Sequence, residues 1–318
     1  MASSENQRRA YPDGSEITFW TTPDGWQIRR FDWPSAVEKP RGSILFQAGR
    51  GDLFEKYLET FHHWHDQGWS ISSFDWRGQG KSGRLSDDPN VGDIDSFDTY
   101  LADFDAFWKQ WAPTAAGPIV VVGHSMGGHL IGRALDEGLA KPAAAVLVAP
   151  MMGVHAPISA GFGEWLANTV MRLGNPQRRA WKGNERPATM ASRQSLLTHD
   201  DDRYADEPWW WEKDPGLTLG PPSWRWVVRA FESTRRLRES TQLNQMKVPV
   251  LMLVADADKL VRAKDELAVA GSIPDCRVVR FGSESAHEIL REVDAVRDRA
   301  LGEIDLFLST KAPQSAEQ

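Results

Sequence analysis

Strand-like and helix-like hydrophobic patterns alternate along most of this chain. Short runs with the apolar character of strands cover residues 43–47, 69–74, 117–122, 143–149, 248–254 and 277–281. Runs that are apolar at successive positions are typical of strands buried on both faces of a parallel sheet. Apolar residues recur at helical spacing over 54–67, 97–111 and 129–135. The pattern therefore predicts an α/β fold with a mainly parallel central sheet and helices on both of its faces.

Two local signals refine this picture. Residues 16–21 and 26–31 alternate between apolar and polar positions around Pro23-Asp24-Gly25, which predicts a β-hairpin before the parallel strands begin. The helix predicted over 97–111 is preceded by Asp95 and Ser96, and either side chain is suited to cap its first turn.

The alternation stops after Pro150 and resumes near Val248. Between these points the chain has helical pieces and proline-rich turns but no strand pattern. We therefore expect an α/β core over 1–150 and 246–310, a helical cap over 151–245, and a disordered tail over 311–318. The cap holds about half of the 15 tryptophans: Trp165, Trp181, Trp209, Trp210, Trp211, Trp224 and Trp226. They fit either an apolar lid or acyl-chain groove, or the packed interior of the cap itself.

Composition limits the classes of function. A formal net charge of −7 over 318 residues argues against a nucleic-acid partner, which would bind a basic surface. The single cysteine, Cys276, excludes an internal disulfide and fits a reducing compartment. Residues 1–12 lack the apolar core of a secretory signal, and no run approaches the ~18 apolar residues of a membrane span. We expect a cytoplasmic protein; its tryptophan content leaves open a weak peripheral contact with the membrane.

The motif most informative about function is Val-Val-Gly-His-Ser-Met-Gly-Gly at residues 121–128. Ser125 lies between Gly123 and Gly127, after a predicted strand and before a predicted helix. A nucleophile elbow needs this order, because its sharp turn leaves no room for side chains two residues before and after the serine. The alternative is a glycine-rich turn that contains an incidental serine.

A nucleophilic serine needs a base and a carboxylate that orients the base. The strand predicted over 248–254 runs into Asp256 and Asp258, and either could be the acid. The strand over 277–281 leads into a loop that contains His287, which is the expected base. Serine, acid and histidine then occur in the order of an α/β-hydrolase.

The other seven histidines have simpler interpretations. His124 lies inside the elbow, where we expect it to pack with its side chain directed away from Ser125. The spacing of His62, His63 and His65 does not place three rings on one helix face, so we expect no metal site there. His129, His155 and His199 are interpreted as background, although His155 could line a pocket.

Two upstream segments carry a family resemblance. Residues 47–57, Gln-Ala-Gly-Arg-Gly-Asp-Leu-Phe-Glu-Lys-Tyr, and residues 74–84, Phe-Asp-Trp-Arg-Gly-Gln-Gly-Lys-Ser-Gly-Arg, resemble bacterial lysophospholipase L2. That family belongs to the wider monoacylglycerol lipase and serine-aminopeptidase-like group of α/β-hydrolases. The resemblance implies Asp258 as the acid, because Ala255 takes the glycine place of a G-x-x-D pattern.

The resemblance also implies an oxyanion hole and a reaction. The backbone N–H groups of Met126 and Arg50 are the implied donors, and the Arg50 side chain is a hypothetical ligand for a substrate phosphate. The implied activity is hydrolysis of esters of monoacyl lipids through an acyl-enzyme, without metal or organic cofactor. Alternatives are a monoacylglycerol lipase or general carboxylesterase, an aminopeptidase that binds a free amine, and a non-catalytic binding protein. The acidic residues available for an amine are Asp206, Glu207 and Glu212.

Overall fold

The computed structural model of the protein describes residues 2–154, 174–180 and 190–314. Its strands form one eight-stranded sheet in the order β1-β2-β4-β3-β5-β6-β7-β8. The strands are β1 (Glu16–Thr21), β2 (Gln27–Trp33), β3 (Gly42–Gln47), β4 (Trp69–Phe74), β5 (Ile119–His124), β6 (Ala144–Val148), β7 (Val250–Ala255) and β8 (Cys276–Phe281). β1 and β2 form the predicted hairpin, β2 is antiparallel to β4, and the remaining pairs are parallel. The predicted α/β-hydrolase fold class is confirmed.

The helices of the described chain lie between these strands and at both ends. They are α1 (Ala2–Arg9), α2 (Leu58–Asp66), α3 (Phe97–Trp111), α4 (Met126–Asp136), α5 (Met190–Leu197), α6 (Asp201–Lys213), α7 (Trp224–Arg238), α8 (Ala263–Ser272) and α9 (Asp294–Lys311). The helix predicted over 54–67 begins with a 3-10 turn, Phe54–Tyr57. Ser96 rather than Asp95 caps α3, because its hydroxyl accepts a hydrogen bond from the Asp98 N–H.

The apolar runs arise because the central strands are covered on both faces. Successive residues of β5 enter two separate cores: Val121 packs in one with Leu45, and Val122 packs in the other with Phe46. β5 lies between β3 and β6, with Val122 paired to both Phe46 and Val146. The strand that precedes Ser125 is therefore fixed on all sides.

The segment between β6 and β7 contributes α5, α6 and α7, and its described residues form isolated bridges but no strand. Trp210 and Trp226 are buried here; the Trp226 ring lies 5.6 Å from that of Phe97, a core residue of α3. For these two residues the contacts favour interior packing over an open groove. Trp165, Trp181 and His155 lie outside the described residues.

Both ends of the described chain are helical. Residues 2–9 form α1, which contacts α2 and α6. α9 extends to Lys311, so the boundary predicted for the tail lies at the last residue of a helix, and residues 315–318 are outside the described range. Within that range, no helix has both the length and the hydrophobicity needed to cross a membrane.

Candidate active site

Ser125 occupies the turn between β5 and α4 in a strained backbone conformation. Its φ of 52° and ψ of −117° are unusual for a residue with a side chain, and such strain typically costs about 1–3 kcal/mol. The surrounding structure holds the turn in place, because the Ser125 N–H donates to the Val148 carbonyl at 3.0 Å and the Ser125 carbonyl accepts from the Met151 N–H at 2.9 Å. A Cβ atom at Gly127 would overlap the backbone of Gln47, so glycine is required there.

His287 and Asp258 form a buried pair. The Nδ1 atom of His287 lies 2.5 Å from Oδ2 of Asp258, and the two residues are 4% and 7% exposed. The other Asp258 oxygen accepts hydrogen bonds from the backbone N–H groups of Leu260 and Val261 at 2.7 and 3.0 Å. The carboxylate is therefore held from both sides, with one oxygen directed at the imidazole.

The electrostatics of this pair favour the ionised state of both groups. Burial opposes the imidazolium, but the charge of Asp258 and its hydrogen bond outweigh burial and raise the pKa of His287. Burial likewise opposes the carboxylate, yet His287 and the two backbone donors lower the pKa of Asp258 below its usual value. An imidazole in this environment is a stronger base than an exposed one.

Asp256, the other acid that the sequence offered, is directed elsewhere. Its carboxylate lies 2.9 Å from the Arg280 guanidinium of β8. Since Asp258 and His287 follow β7 and β8 while Ser125 follows β5, all three lie at the carboxyl edge of the parallel sheet. Only Asp258 of the two acids contacts the histidine.

The loop after β3 approaches the elbow closely. A Cβ atom on Gly49 would lie 3.1 Å from the Ser125 Cβ, a tight contact that brings the loop directly beside the elbow. Arg50 is the next residue, and Met126 is the first residue of α4, whose opening N–H groups have no partner within the helix. The two implied oxyanion donors thus belong to segments that flank Ser125.

The Arg50 side chain extends toward the segment between β6 and β7. Its guanidinium donates to the Gly220 carbonyl at 2.5 Å and lies 5.3 Å from the Trp226 ring centroid. Cation–π contact and a carbonyl acceptor both stabilise the guanidinium in this position. These contacts connect the loop after β3 to the insertion.

His124 is buried, as expected for a packing residue, and the structure adds a contact with His287 that was not predicted. Its ring centroid lies 4.8 Å from that of His287, and its Nε2 lies 3.4 Å from the His287 carbonyl oxygen. On its other side, Nδ1 lies 2.8 Å from the Tyr57 hydroxyl, which donates to Asp52 at 2.7 Å. Burial lowers the pKa of His124. Strand alternation could not reveal this contact, because the His287 loop reaches β5 only in the folded chain.

A buried cation next to the His287 loop was not predicted from the sequence. The Lys56 ammonium lies 2.8 Å from Asp52, 2.6 Å from Glu288 and 3.1 Å from Glu207. Lys56 is 5% exposed. Lys56 stands between Glu55 and Tyr57 in a segment of mixed polar and apolar residues, and nothing in this local pattern indicates that its ammonium is buried.

The remaining described histidines have individual partners. His65 stacks on Trp33 with ring centroids 3.7 Å apart, and His63 lies 2.9 Å from an Asp305 oxygen. His129 lies 2.7 Å from the Ser233 hydroxyl, and burial lowers its pKa to about 3. Across residues 2–154, 174–180 and 190–314, no cluster of three or more His, Cys, Asp or Glu side chains is arranged to hold a metal ion.

Comparison with known proteins places the chain in a family. A family model described as serine aminopeptidase, S33, matches residues 38–294. The chain belongs to this family. The resemblance found in the two upstream segments is thereby confirmed at the level of the family, and the match covers β3 to β8 together with the candidate site.

Among curated proteins, the chain is similar to lysophospholipase L2 of Escherichia coli K12, at 29% identity over 225 residues. That match covers 66% of this chain and 64% of the relative. A probable lysophospholipase L2 of Haemophilus influenzae is 29% identical over 102 residues, 31% of each chain. The chain thus matches less than two thirds of the length of these relatives.

Solved structures share the fold. A soluble variant of monoglyceride lipase from Saccharomyces cerevisiae, in complex with a substrate analog, has a TM-score of 0.75 at 18% identity, covering 95% of this chain and 97% of that one. A monoacylglycerol lipase from Paleococcus ferrophilus has a TM-score of 0.69 at 20% identity, covering 89% and 98%. At these identities the likeness establishes the architecture.

Proposed function

We propose that this protein is a serine hydrolase that cleaves carboxylic esters of monoacyl lipids, with Ser125 as nucleophile, His287 as base and Asp258 as the acid. The observation that carries the proposal is the buried contact between His287 and Asp258 at the sheet edge where Ser125 occupies its strained turn. A strained serine, a histidine of raised pKa and an oriented carboxylate are the parts that acyl transfer requires.

The proposed reaction has two steps. His287 removes the hydroxyl proton of Ser125, and the oxygen attacks the ester carbonyl to form a tetrahedral intermediate. The N–H groups of Met126 and Arg50 hold the oxyanion, and the loss of one such donor typically raises the barrier by about 3 kcal/mol. The imidazolium protonates the departing alcohol, and water activated by His287 then releases the fatty acid from Ser125. Asp258 orients the ring and stabilises its charge throughout.

The names of the relatives support the choice of lipid. Two curated relatives are called lysophospholipase L2, and two structural neighbours are monoglyceride or monoacylglycerol lipases. All these substrates carry one acyl ester. We favour lysophospholipid as the substrate; a monoacylglycerol lipase or general carboxylesterase would use the same three residues and differ only in its acyl and head-group pocket.

Aminopeptidase activity, the other activity that the family description suggests, is less well supported. It would use an acid near the cap to bind the substrate amine, but Asp206 is bridged by Arg8 and Arg9, both at 2.9 Å. Glu207 is bound to the Lys56 ammonium. At Asp206 or Glu207, an incoming amine would have to displace cations that are already bound to the carboxylate.

One panel tests these choices. The purified protein is assayed against lysophosphatidylcholine, monoacylglycerol, short p-nitrophenyl esters and aminoacyl-arylamides, and is labelled with a fluorophosphonate. We expect ester turnover and labelling to be lost in Ser125→Ala and retained in Ser309→Ala, which alters a serine on the exposed face of α9. Labelling that persists in Ser125→Ala would refute the nucleophile. Faster cleavage of arylamides would favour an aminopeptidase, and neither turnover nor labelling would indicate a binding protein.

A further inference from the structure

We propose that Lys56 is a positioning residue of this site, because its buried ammonium joins the loop after β3, the loop of His287 and the insertion between β6 and β7. The inference rests on the proposed serine hydrolase function and adds a residue that the Ser-His-Asp mechanism does not contain.

The three carboxylates around Lys56 come from three different parts of the fold. Asp52 belongs to the loop that also contains Arg50, Glu288 directly follows His287, and Glu207 lies on α6 of the insertion. All three acids are buried, as is the lysine. A cation in such a place is stable only when its partners compensate for the water it has lost. The contacts therefore hold three segments together that share no strand or helix.

Each of the three carboxylates is also bound to a second side chain, so a shift of Lys56 would disturb those neighbouring contacts as well. The second oxygen of Asp52 accepts from Tyr57, whose hydroxyl lies beside His124, and His124 packs against His287. Glu288 accepts from Arg291 at 2.6 Å, and Glu207 is paired with Arg193. The Lys56 ammonium is therefore connected to His287 in two ways. One connection runs through Asp52, Tyr57 and His124, and the other through Glu288, the residue that follows His287.

Backbone hydrogen bonds join the same segments. The Glu288 N–H donates to the Leu197 carbonyl at the end of α5 at 2.7 Å, and the His287 N–H donates to Leu196 at 3.3 Å. The insertion thus contacts the base loop through its backbone and through Glu207. Without the ammonium, repulsion among Asp52, Glu288 and Glu207 would act directly on the loop that carries His287.

The arrangement also has an electrostatic consequence for the base. The groups that face or surround His287 are Asp258 after β7, Glu288 in its own loop, Asp52 in the loop after β3, and His124 at the end of β5. Lys56 and Arg291 compensate the charges of Asp52 and Glu288. Removal of the ammonium would leave excess negative charge near the imidazolium and raise the pKa of His287; removal of Glu288 alone would lower it.

The test follows p-nitrophenyl butyrate hydrolysis from pH 5 to 9 in variants whose folding is checked by circular dichroism. In Lys56→Met we expect kcat to fall at least about tenfold with little change in KM, and the acidic limb of kcat/KM to move up by roughly one pH unit. Lys56→Arg, which keeps the charge, should leave the limb near its wild-type position. The double variant Lys56→Met/Glu288→Gln restores the balance of charge and should return the limb toward wild type.

Two further variants complete the design. Glu288→Gln alone should move the acidic limb to lower pH, which tests the inference even if Lys56→Met does not fold. Lys109→Met removes an exposed lysine that pairs with Asp105 on α3, and should change nothing. An acidic limb that stays in place in both Lys56→Met and Glu288→Gln would overturn the inference. Wild-type turnover and Ser125 labelling are measured in parallel, so that failure of the proposed function is seen separately from failure of the role of Lys56.

Discussion

His287 and Asp258 are 29 positions apart in the chain, yet their side chains meet at 2.5 Å in the buried edge of the sheet. The contact exists because β7 and β8 are adjacent and parallel, so the loops that follow them emerge side by side. This contact distinguishes Asp258 from Asp256, the other candidate acid only two residues away.

Replacement of the two acids should have very different effects. Asp258→Asn removes the charge that orients and stabilises the imidazolium, and the corresponding change in a serine protease triad lowers kcat by about 10⁴-fold. Asp256→Asn is the matched control, since Asp256 pairs with the exposed Arg280, and we expect its kcat to stay within about twofold of wild type. Steady-state ester hydrolysis measures both. Equal losses in the two variants would contradict the assignment of the acid.

The pH dependence of wild-type activity follows from the sign of the His287 shift. Only the neutral imidazole accepts the serine proton, so kcat/KM should fall as the pH drops through the pKa of His287. Because that pKa is raised, the acidic limb should lie above 6.5, the ordinary value for histidine. Loss of the Asp258 charge should move the limb to lower pH. A wild-type limb well below 6.5 would show that another group controls the profile.

The elbow glycines should be far less tolerant of substitution than glycines in helices. Gly127→Ala places a Cβ against the backbone of Gln47 and Ala48, and we expect it to lower the free energy of unfolding by about 1–3 kcal/mol. Gly302→Ala, at an exposed position of α9 with open space around its Cβ, should raise it by about 0.5–1 kcal/mol. Urea denaturation compares the two. A neutral Gly127→Ala would show that the loop after β3 can move away from the elbow.

The contacts of the Arg50 side chain indicate that it attaches the insertion to the core rather than binding a substrate phosphate. Its guanidinium is bound to Gly220 and lies over Trp226, so Arg50→Ala should weaken the attachment of the insertion to the core. We expect KM to rise by a similar factor for lysophosphatidylcholine and for monoacylglycerol. Competition between the two substrates measures this directly. A loss confined to the phosphorylated substrate would instead support a phosphate ligand.

Much of the fold was predictable because its signals are local. The strand runs, the hairpin around Asp24 and the helix over 97–111 depend on periodicity and turn chemistry within a few residues, and the structure has them with shifts of one or two positions. The turn at Ser125 was predicted in the same way, from small residues on either side of a strand-to-helix junction.

The rest of the candidate site was harder to predict from the sequence. His287 was distinguished among eight histidines by its place after a strand, and Asp258 only by the family pattern. The contact of His124 with the His287 loop was not predicted, because strand alternation indicates the face on which a side chain lies but not which distant loop covers that face. This contact joins residues 163 positions apart.

The sequence by itself thus determined the order of strands and helices, the turn that holds Ser125 and the family of the protein, since each depends on neighbouring residues. Only the tertiary structure decided which aspartate faces His287, where the Arg50 guanidinium binds, and that Lys56 is buried among three acids. Those acids include Glu207 and Glu288, which are 151 and 232 positions from Lys56. Charges so far apart in the chain are brought together only when the sheet and its loops are assembled.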